Sequence, residues 1–273
     1  MRLGRIPWIN CFPVYGAIDR GLVQPGAEVV SATAAELNDL LAAGELDLSV
    51  VSAVEYARDA AMYLLLPDLA ISSDGPVMSV LLCSRRPFHE LTAATVLRSS
   101  SSRTSVLLLE LLCRHRWGVR PRFATVRGEP GDLAALSELP HDAVLVIGDA
   151  ALLLGASGAY PFVADLGAEW KAWTGLPFVF AVWAARRATD LDAARLVHAR
   201  LLESRAWGTA HLDLLAEAAS GRTGLPVRTC REYLGELDYG LGPAHRAGLS
   251  EFFARLAVDG LAPPHALAFL DAA

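Results

Sequence analysis

The chain has 273 residues, 53% hydrophobic and 20% charged, with a formal net charge of −6. Such a length and composition suit one large domain or two lobes of ordinary size, the second being the preferred reading, and exclude a disordered chain. Lys171 is the single lysine and the arginines are scattered through an acidic sequence, so nucleic acid is not expected as a partner and an anionic ligand would need local donors.

Leu3 to Ile9 reads as a first strand, ended by Asn10-Cys11-Phe12-Pro13. Val29-Val30 reads as a second. Thr33 to Leu41 carries an N-cap and an amphipathic pattern, closed by Gly44, and predicts a helix. Leu46 to Ser52 is then a buried strand with hydroxyls near its end. Val77 to Ser84 has strong strand character with Ser79 inside it, and Arg85-Arg86-Pro87 closes it. A second α/β set follows: a strand at Thr95 to Leu97, a helix from about Thr104 to Trp117, and a buried parallel strand at Ala143 to Ile147 before Gly148-Asp149-Ala150. Leu176 to Ala184 is another long strand, and from Asp190 onward the pattern is helical.

Two long strands bracketing a middle α/β set are what two chain crossings between two lobes would look like. The expected lobes are 1–84, 85–183, and a mainly helical return to the first lobe over 184–273, with a ligand between the lobes. The return segment would pack on the first lobe or form a homodimer contact. Cys11, Cys83, Cys113 and Cys230 lack metal or disulfide spacing, so no metal is expected. Met1 to Gly16 does not read as a signal peptide, and the apolar stretch near Phe178 to Ala185 is too short to cross a bilayer; a cytoplasmic protein with no membrane partner is expected.

Ser99 to Ser105 places six hydroxyls in seven positions directly before an apolar helix. Helix-start N–H groups lack intrahelical acceptors and carry the positive end of the peptide dipole, so this stretch is either an ordinary cap or a site for a carboxylate or phosphate. Asn10 can face a ligand or prepare a turn before Pro13. Ser79 bonds to backbone or faces the cleft, since a buried unpaired hydroxyl costs about 1 to 3 kcal/mol. Asp149 caps a helix or binds a substrate hydroxyl. Asp165 to Phe178 is rich in aromatics and charge for a connector, with Trp170 and Trp173 as core anchors.

Asn10, Gly44 to Asp47, Ser52 to Tyr56, Ser79, Arg103 to Ser105, Gly148 to Ala150, Trp170 to Phe178 and Tyr233 to Phe252, taken in this order, resemble the MqnA family of menaquinone biosynthesis, the chorismate dehydratases of the futalosine route. The resemblance runs from about Ile6 to Phe252. It implies a type II periplasmic-binding-protein-like α/β fold with two lobes and a ligand cleft, no cofactor, and dehydration of chorismate, a dicarboxylate, to 3-[(1-carboxyvinyl)oxy]benzoate. It implies Ser79 and Asn10 as catalytic residues, and Ser52, Ser102, Thr104, Ser105, Asp149 and Phe178 as substrate-binding. The chain departs from many relatives in carrying Trp8-Ile9-Asn10 where an aromatic lies nearer the Asn, and in a heavier serine run. The alternatives are a non-catalytic binding or sensing protein of the same fold, and the sister enzyme acting on cyclic dehypoxanthine futalosine.

Overall fold

The computed structural model describes residues 1–99, 102–126, 136 and 138–271. Ser100 and Ser101 of the serine run lie outside the described residues. The chain divides into two compact units, Met1–Ser72 with Val179–Ala273, and Ser73–Phe178.

The strands of the described residues are β1 (Arg2–Arg5), β2 (Glu28–Ser31), β3 (Leu48–Ser52), β4 (Tyr63–Ser73), β5 (Val80–Ser84), β6 (Thr95–Ser99), β7 (Arg122–Val126), β8 (Ala143–Ile147), β9 (Phe162–Asp165) and β10 (Phe178–Arg186). The α-helices given by range among the described residues are α1 (Phe12–Asp19), α2 (Ala34–Ala43), α3 (Ala53–Arg58), α4 (Thr104–Leu111), α5 (Gly148–Ala156), α6 (Leu166–Thr174), α7 (Leu191–Ala210), α8 (Leu212–Thr223), α9 (Val227–Glu236) and α10 (Pro243–Val258).

The first unit is built on a sheet of order β2-β1-β3-β10-β4. β1 is parallel to β2 and β3, and β10 is antiparallel to β3, with Ala181 opposite Ser52. Every residue of β3 is buried, as expected of a central strand covered on both faces. α2 starts at a capping box, Thr33 with Glu36, and stops at Gly44 in the left-handed conformation, φ 81°.

The second unit has a sheet of order β7-β6-β8-β5-β9. β6 is parallel to β7 and β8, while β5 runs antiparallel to β8 and β9. Leu81, Cys83, Leu97, Val144, Val146, Ala151 and Leu154 form the core on one of its faces.

The structure corrects several boundaries. β1 stops at Arg5, ahead of Pro7, which lacks a ladder donor. The strand foreseen from Val77 starts at Val80, because Met78 has a positive φ of 60° that a strand cannot hold. Val80–Ser84 pairs within the second sheet, so the segment 1–84 is divided at 72, and the return to the first unit begins at Val179. The helix foreseen to Trp117 is α-helical only to Leu111 and continues as a π-helix over Leu112–Arg116. The presumed connector after Asp165 is α6.

Candidate functional site

In the second unit, the carboxyl ends of β6, β8 and β9 and the amino end of β5 share one end of the sheet, as the registers Leu97↔Val144, Val80↔Ile147 and Leu81↔Asp165 require. Ser99 ends β6 and Ser102 follows it, Asp149 follows β8, Ser79 precedes β5, and Asp165 ends β9. The end of an α/β sheet where the parallel strands finish is where such folds bind ligands.

Ser79 is 4% exposed and sits in a tight turn, its N–H donating to the Val77 carbonyl at 2.7 Å. This two-residue closure has Met78 at its centre with φ 60°, the strained hand of the γ-turn for a residue with a side chain. The Ser79 carbonyl accepts the Gly148 N–H at 2.8 Å, which ties the turn to the start of α5. Gly148 has φ 63°. Asp149 stands in the first turn of α5, whose N-cap is Ile147, so the foreseen alternative of Asp149 as the cap residue is not what the backbone adopts.

Ser99, Ser102, Thr104 and Ser105 are all buried around the start of α4. The N-cap position that an ordinary Ser or Thr cap would take is held by Arg103, whose side chain makes no capping hydrogen bond. Hydroxyls are therefore gathered at a helix start without one of them being the cap, and the first-turn N–H groups add backbone donors. The arrangement suits a carboxylate.

Phe178 is buried and packs edge-on against Trp170, with ring centroids 5.2 Å apart, while Trp170 Nε1 donates to the Pro177 carbonyl at 3.2 Å. Trp170 and Trp173 also meet edge to face at 5.8 Å; of the two expected anchors, Trp170 is fully buried in the core, whereas Trp173 is only half-buried.

In the first unit, Asn10 follows β1 and Ser52 is the last residue of β3, so both lie toward the carboxyl end of these parallel strands. Asn10 occupies a 3-10 turn over Ile9–Cys11 whose flanking side chains, Ile9 and Cys11, are fully buried. Two contacts hold α1, the helix that follows this turn. Tyr15 on α1 donates its hydroxyl to the Gly4 carbonyl at 3.1 Å and accepts from Trp183 Nε1 at 3.2 Å; burial pushes its phenol far above the ordinary range. Gly208 on α7 lets that helix pass so close to α1 that a Cβ there would lie 2.0 Å from the Pro13 carbonyl oxygen. Asn10 Oδ1 is buried and has no hydrogen-bond partner among the described residues. A buried acceptor left in this state costs about 1 to 3 kcal/mol, which a bound donor would recover.

Ser52 is held by a residue that the sequence reading missed. Asn38 accepts the Ser52 N–H at 3.1 Å, and its Nδ2 donates to the Ser52 hydroxyl at 3.2 Å. The available signal was an amide on the buried face of α2 beside Leu37 and Leu41. Asp165 and Met78 likewise carry no signal of their own in the sequence, where Asp165 stands out only as part of the aromatic run. Among the described residues no group of three or more His, Cys, Asp or Glu side chains could hold a metal ion.

Residues 1–258 match the family described as menaquinone biosynthesis. A chorismate dehydratase of Thermus thermophilus is 38% identical over 242 residues, 83% of this chain and 86% of its own length. A 1,4-dihydroxy-6-naphtoate synthase of Streptomyces coelicolor is 28% identical, covering 98% of both chains. Among solved structures, protein AF1704 of Archaeoglobus fulgidus superposes with a TM-score of 0.79 at 20% identity, covering 95% of this chain and 97% of that one. The alkanesulfonate-binding protein SsuA of Xanthomonas axonopodis pv. citri superposes with a TM-score of 0.71 at 14% identity, covering 98% and 96%. These likenesses establish a periplasmic-binding-protein-like fold of two α/β units.

Proposed function

The chain belongs to the menaquinone biosynthesis family, and from that premise we propose that it is a chorismate dehydratase, a hydro-lyase that converts chorismate to 3-[(1-carboxyvinyl)oxy]benzoate and water. The observation that carries this reading is the 38% identity to the Thermus thermophilus enzyme over 83% of the chain. The site agrees with the substrate's chemistry. Chorismate carries two carboxylates, and Ser102, Thr104 and Ser105 at the start of α4 form a neutral cradle suited to one of them.

In the reaction the ring carbon bearing the enolpyruvyl ether gives up a proton, and the neighbouring carbon loses its hydroxyl with the electron pair of that C–O bond. One water leaves and the ring becomes aromatic. The proton lost is vinylogous to the ring carboxylate, which spreads the developing charge, so the protein supplies positioning and modest acid–base help. We assign Ser79 and Asn10 to the ring and its departing hydroxyl. Proton relay falls to the substrate's own enolpyruvyl carboxylate or to Ser79. The buried, unpartnered Oδ1 supports Asn10 as an acceptor awaiting a donor. Ser52, Asp149 and Phe178 are proposed substrate contacts, and cytoplasmic residence goes with this reading.

The test is incubation of the purified protein with chorismate while an aromatic product is followed by ultraviolet absorbance. The expected result is stoichiometric conversion to one benzoate and one water. Ser79→Ala and Asn10→Asp should each lower kcat by roughly 10²- to 10⁴-fold. Near-normal turnover by both variants would remove the residue assignment. Unchanged chorismate beside turnover of cyclic dehypoxanthine futalosine would make the chain the sister enzyme, and binding without turnover would make it a binding protein.

A further inference from the structure

The carboxylate of Asp165 does more than start a helix. Its Oδ1 accepts the Gly167 and Ala168 N–H groups at 2.9 and 3.1 Å, which is ordinary N-capping of α6. Its Oδ2 accepts the N–H groups of Val77 at 2.9 Å and Met78 at 2.7 Å, residues 88 and 87 positions earlier in the chain, and the Val77 N–H also lies 3.0 Å from Oδ1. Those two residues are the first half of the turn that presents Ser79. Met78 at φ 60° is a conformation that a residue with a Cβ holds only when its surroundings impose it, and the Ser79 N–H closes the turn on Val77.

The rest of α6 secures the same stretch. A Cβ at Gly167 would lie 2.6 Å from the Gly75 carbonyl oxygen and 2.7 Å from Ser73 Oγ, so the helix start runs directly along residues 73–75. Lys171 pairs with Asp74 at 2.5 Å. Burial pushes the Asp165 carboxyl up, and the backbone N–H groups of Val77, Ala168, Met78 and Gly167 hold it down. The site tolerates this buried acid because the turn and the helix between them supply its donors.

We propose that Asp165 is a positioning residue for Ser79: it clamps the Val77-Met78 backbone in the strained turn and so fixes where the Ser79 hydroxyl stands. The proposal rests on the reading of Ser79 as catalytic. Ser102, Thr104 and Ser105 reach the same end of the sheet after β6, while Asp149 is tied to the turn through the Gly148 N–H on the Ser79 carbonyl.

Two substitutions separate clamping from capping. Asp165→Ser keeps a short acceptor for Gly167 and Ala168 but cannot reach Val77 and Met78. Asp165→Asn keeps the length but offers one acceptor oxygen, turning an N–H₂ toward donors on one side. Each variant is compared with the wild type in kcat and KM for chorismate and in amide hydrogen exchange. The expected result is a fall in kcat of roughly 10- to 100-fold with KM within about threefold, since a displacement on the order of 1 Å is enough for such a loss. In Asp165→Ser, the amides of Met78 and Ser79 should lose at least about tenfold in protection while those within α6 and β8 keep theirs. Unchanged kcat, unchanged protection at 78 and 79, or loss of protection spread evenly through residues 73–178 would each overturn the proposal. If Asp165→Asn does not fold, Asp165→Ser decides alone. Hydrogen exchange needs no substrate, so failure of the wild type to dehydrate chorismate would defeat the functional reading while the clamp was still decided.

Discussion

The Met78 N–H meets Asp165 Oδ2 at 2.7 Å, the shortest hydrogen bond that this carboxylate accepts, and Met78 is the residue of the pair whose backbone is strained. A β-branched residue tolerates φ 60° worse than Met does. Met78→Val is expected to cost about 1 to 3 kcal/mol in denaturant unfolding and to lower kcat, because the turn can relax only by moving Ser79. A variant with wild-type stability and turnover would show the strain to be of no consequence.

Asn38 and Ser52 exchange two hydrogen bonds in a fully buried setting. Asn38→Leu fits the apolar face of α2 but leaves the Ser52 N–H without its acceptor. A loss of about 1 to 3 kcal/mol in equilibrium unfolding is expected. If Ser52 contacts substrate, KM should rise as well, which steady-state kinetics on the folded variant will read.

Gly208 and Gly221 offer a matched comparison within the C-terminal helices. A Cβ at Gly208 meets backbone at 2.0 Å, whereas at Gly221 it meets nothing within 4 Å. Gly208→Ala should destabilise the protein by about 1 to 3 kcal/mol by pushing α7 away from α1. Gly221→Ala, in the last turn of α8, should stabilise it by about 0.5 to 1 kcal/mol. Thermal midpoints of the two variants moving in the same direction would contradict this packing.

Asp238 lies 3.0 Å from His245 Nε2, and this pairing is the main reason its carboxyl is held below the ordinary value of 3.8. A depressed carboxyl adds stability above its unfolded value and loses it as pH falls through its folded one. Urea midpoints measured downward from pH 6 should therefore drop below about pH 4, and less steeply in Asp238→Asn. Identical acid limbs in the two proteins would rule out the contribution.

All four cysteines are buried and stand outside any disulfide, and burial pushes the thiols of Cys83 and Cys113 up to about 12. Thiolate is the reactive form, so iodoacetamide at pH 8 should leave Cys83 and Cys113 unmodified in the native protein and alkylate them once it is unfolded. Mass spectrometry of the peptides distinguishes the two outcomes.

Local signals made much of the fold legible. The Thr33–Glu36 box and Gly44 delimit α2, and the apolar runs of β3 and β8 needed no partner to be recognised. β4 escaped notice because Pro67 and Asp68, the latter at φ 57°, interrupt it; a strand with such a break is tolerated at the sheet edge, where β4 lies. The π-helical stretch after Leu111 has no local sequence signature. In the site, the crowd of hydroxyls before α4 was readable because the helix start and its donors are neighbours in sequence. The partners of Asp165 were not, since a separation of 87 residues leaves no periodicity to read.

The strand order of the first unit has a consequence for synthesis on the ribosome. β10 lies between β3 and β4, so that sheet has a gap beside its edge strand until residue 186 has emerged, while residues 73–178 form an uninterrupted stretch whose strands are all available earlier. The nascent chain should therefore complete its internal unit first and hold its own beginning open, with the edges of β3 and β4 exposed to chaperones until the later strand slots in.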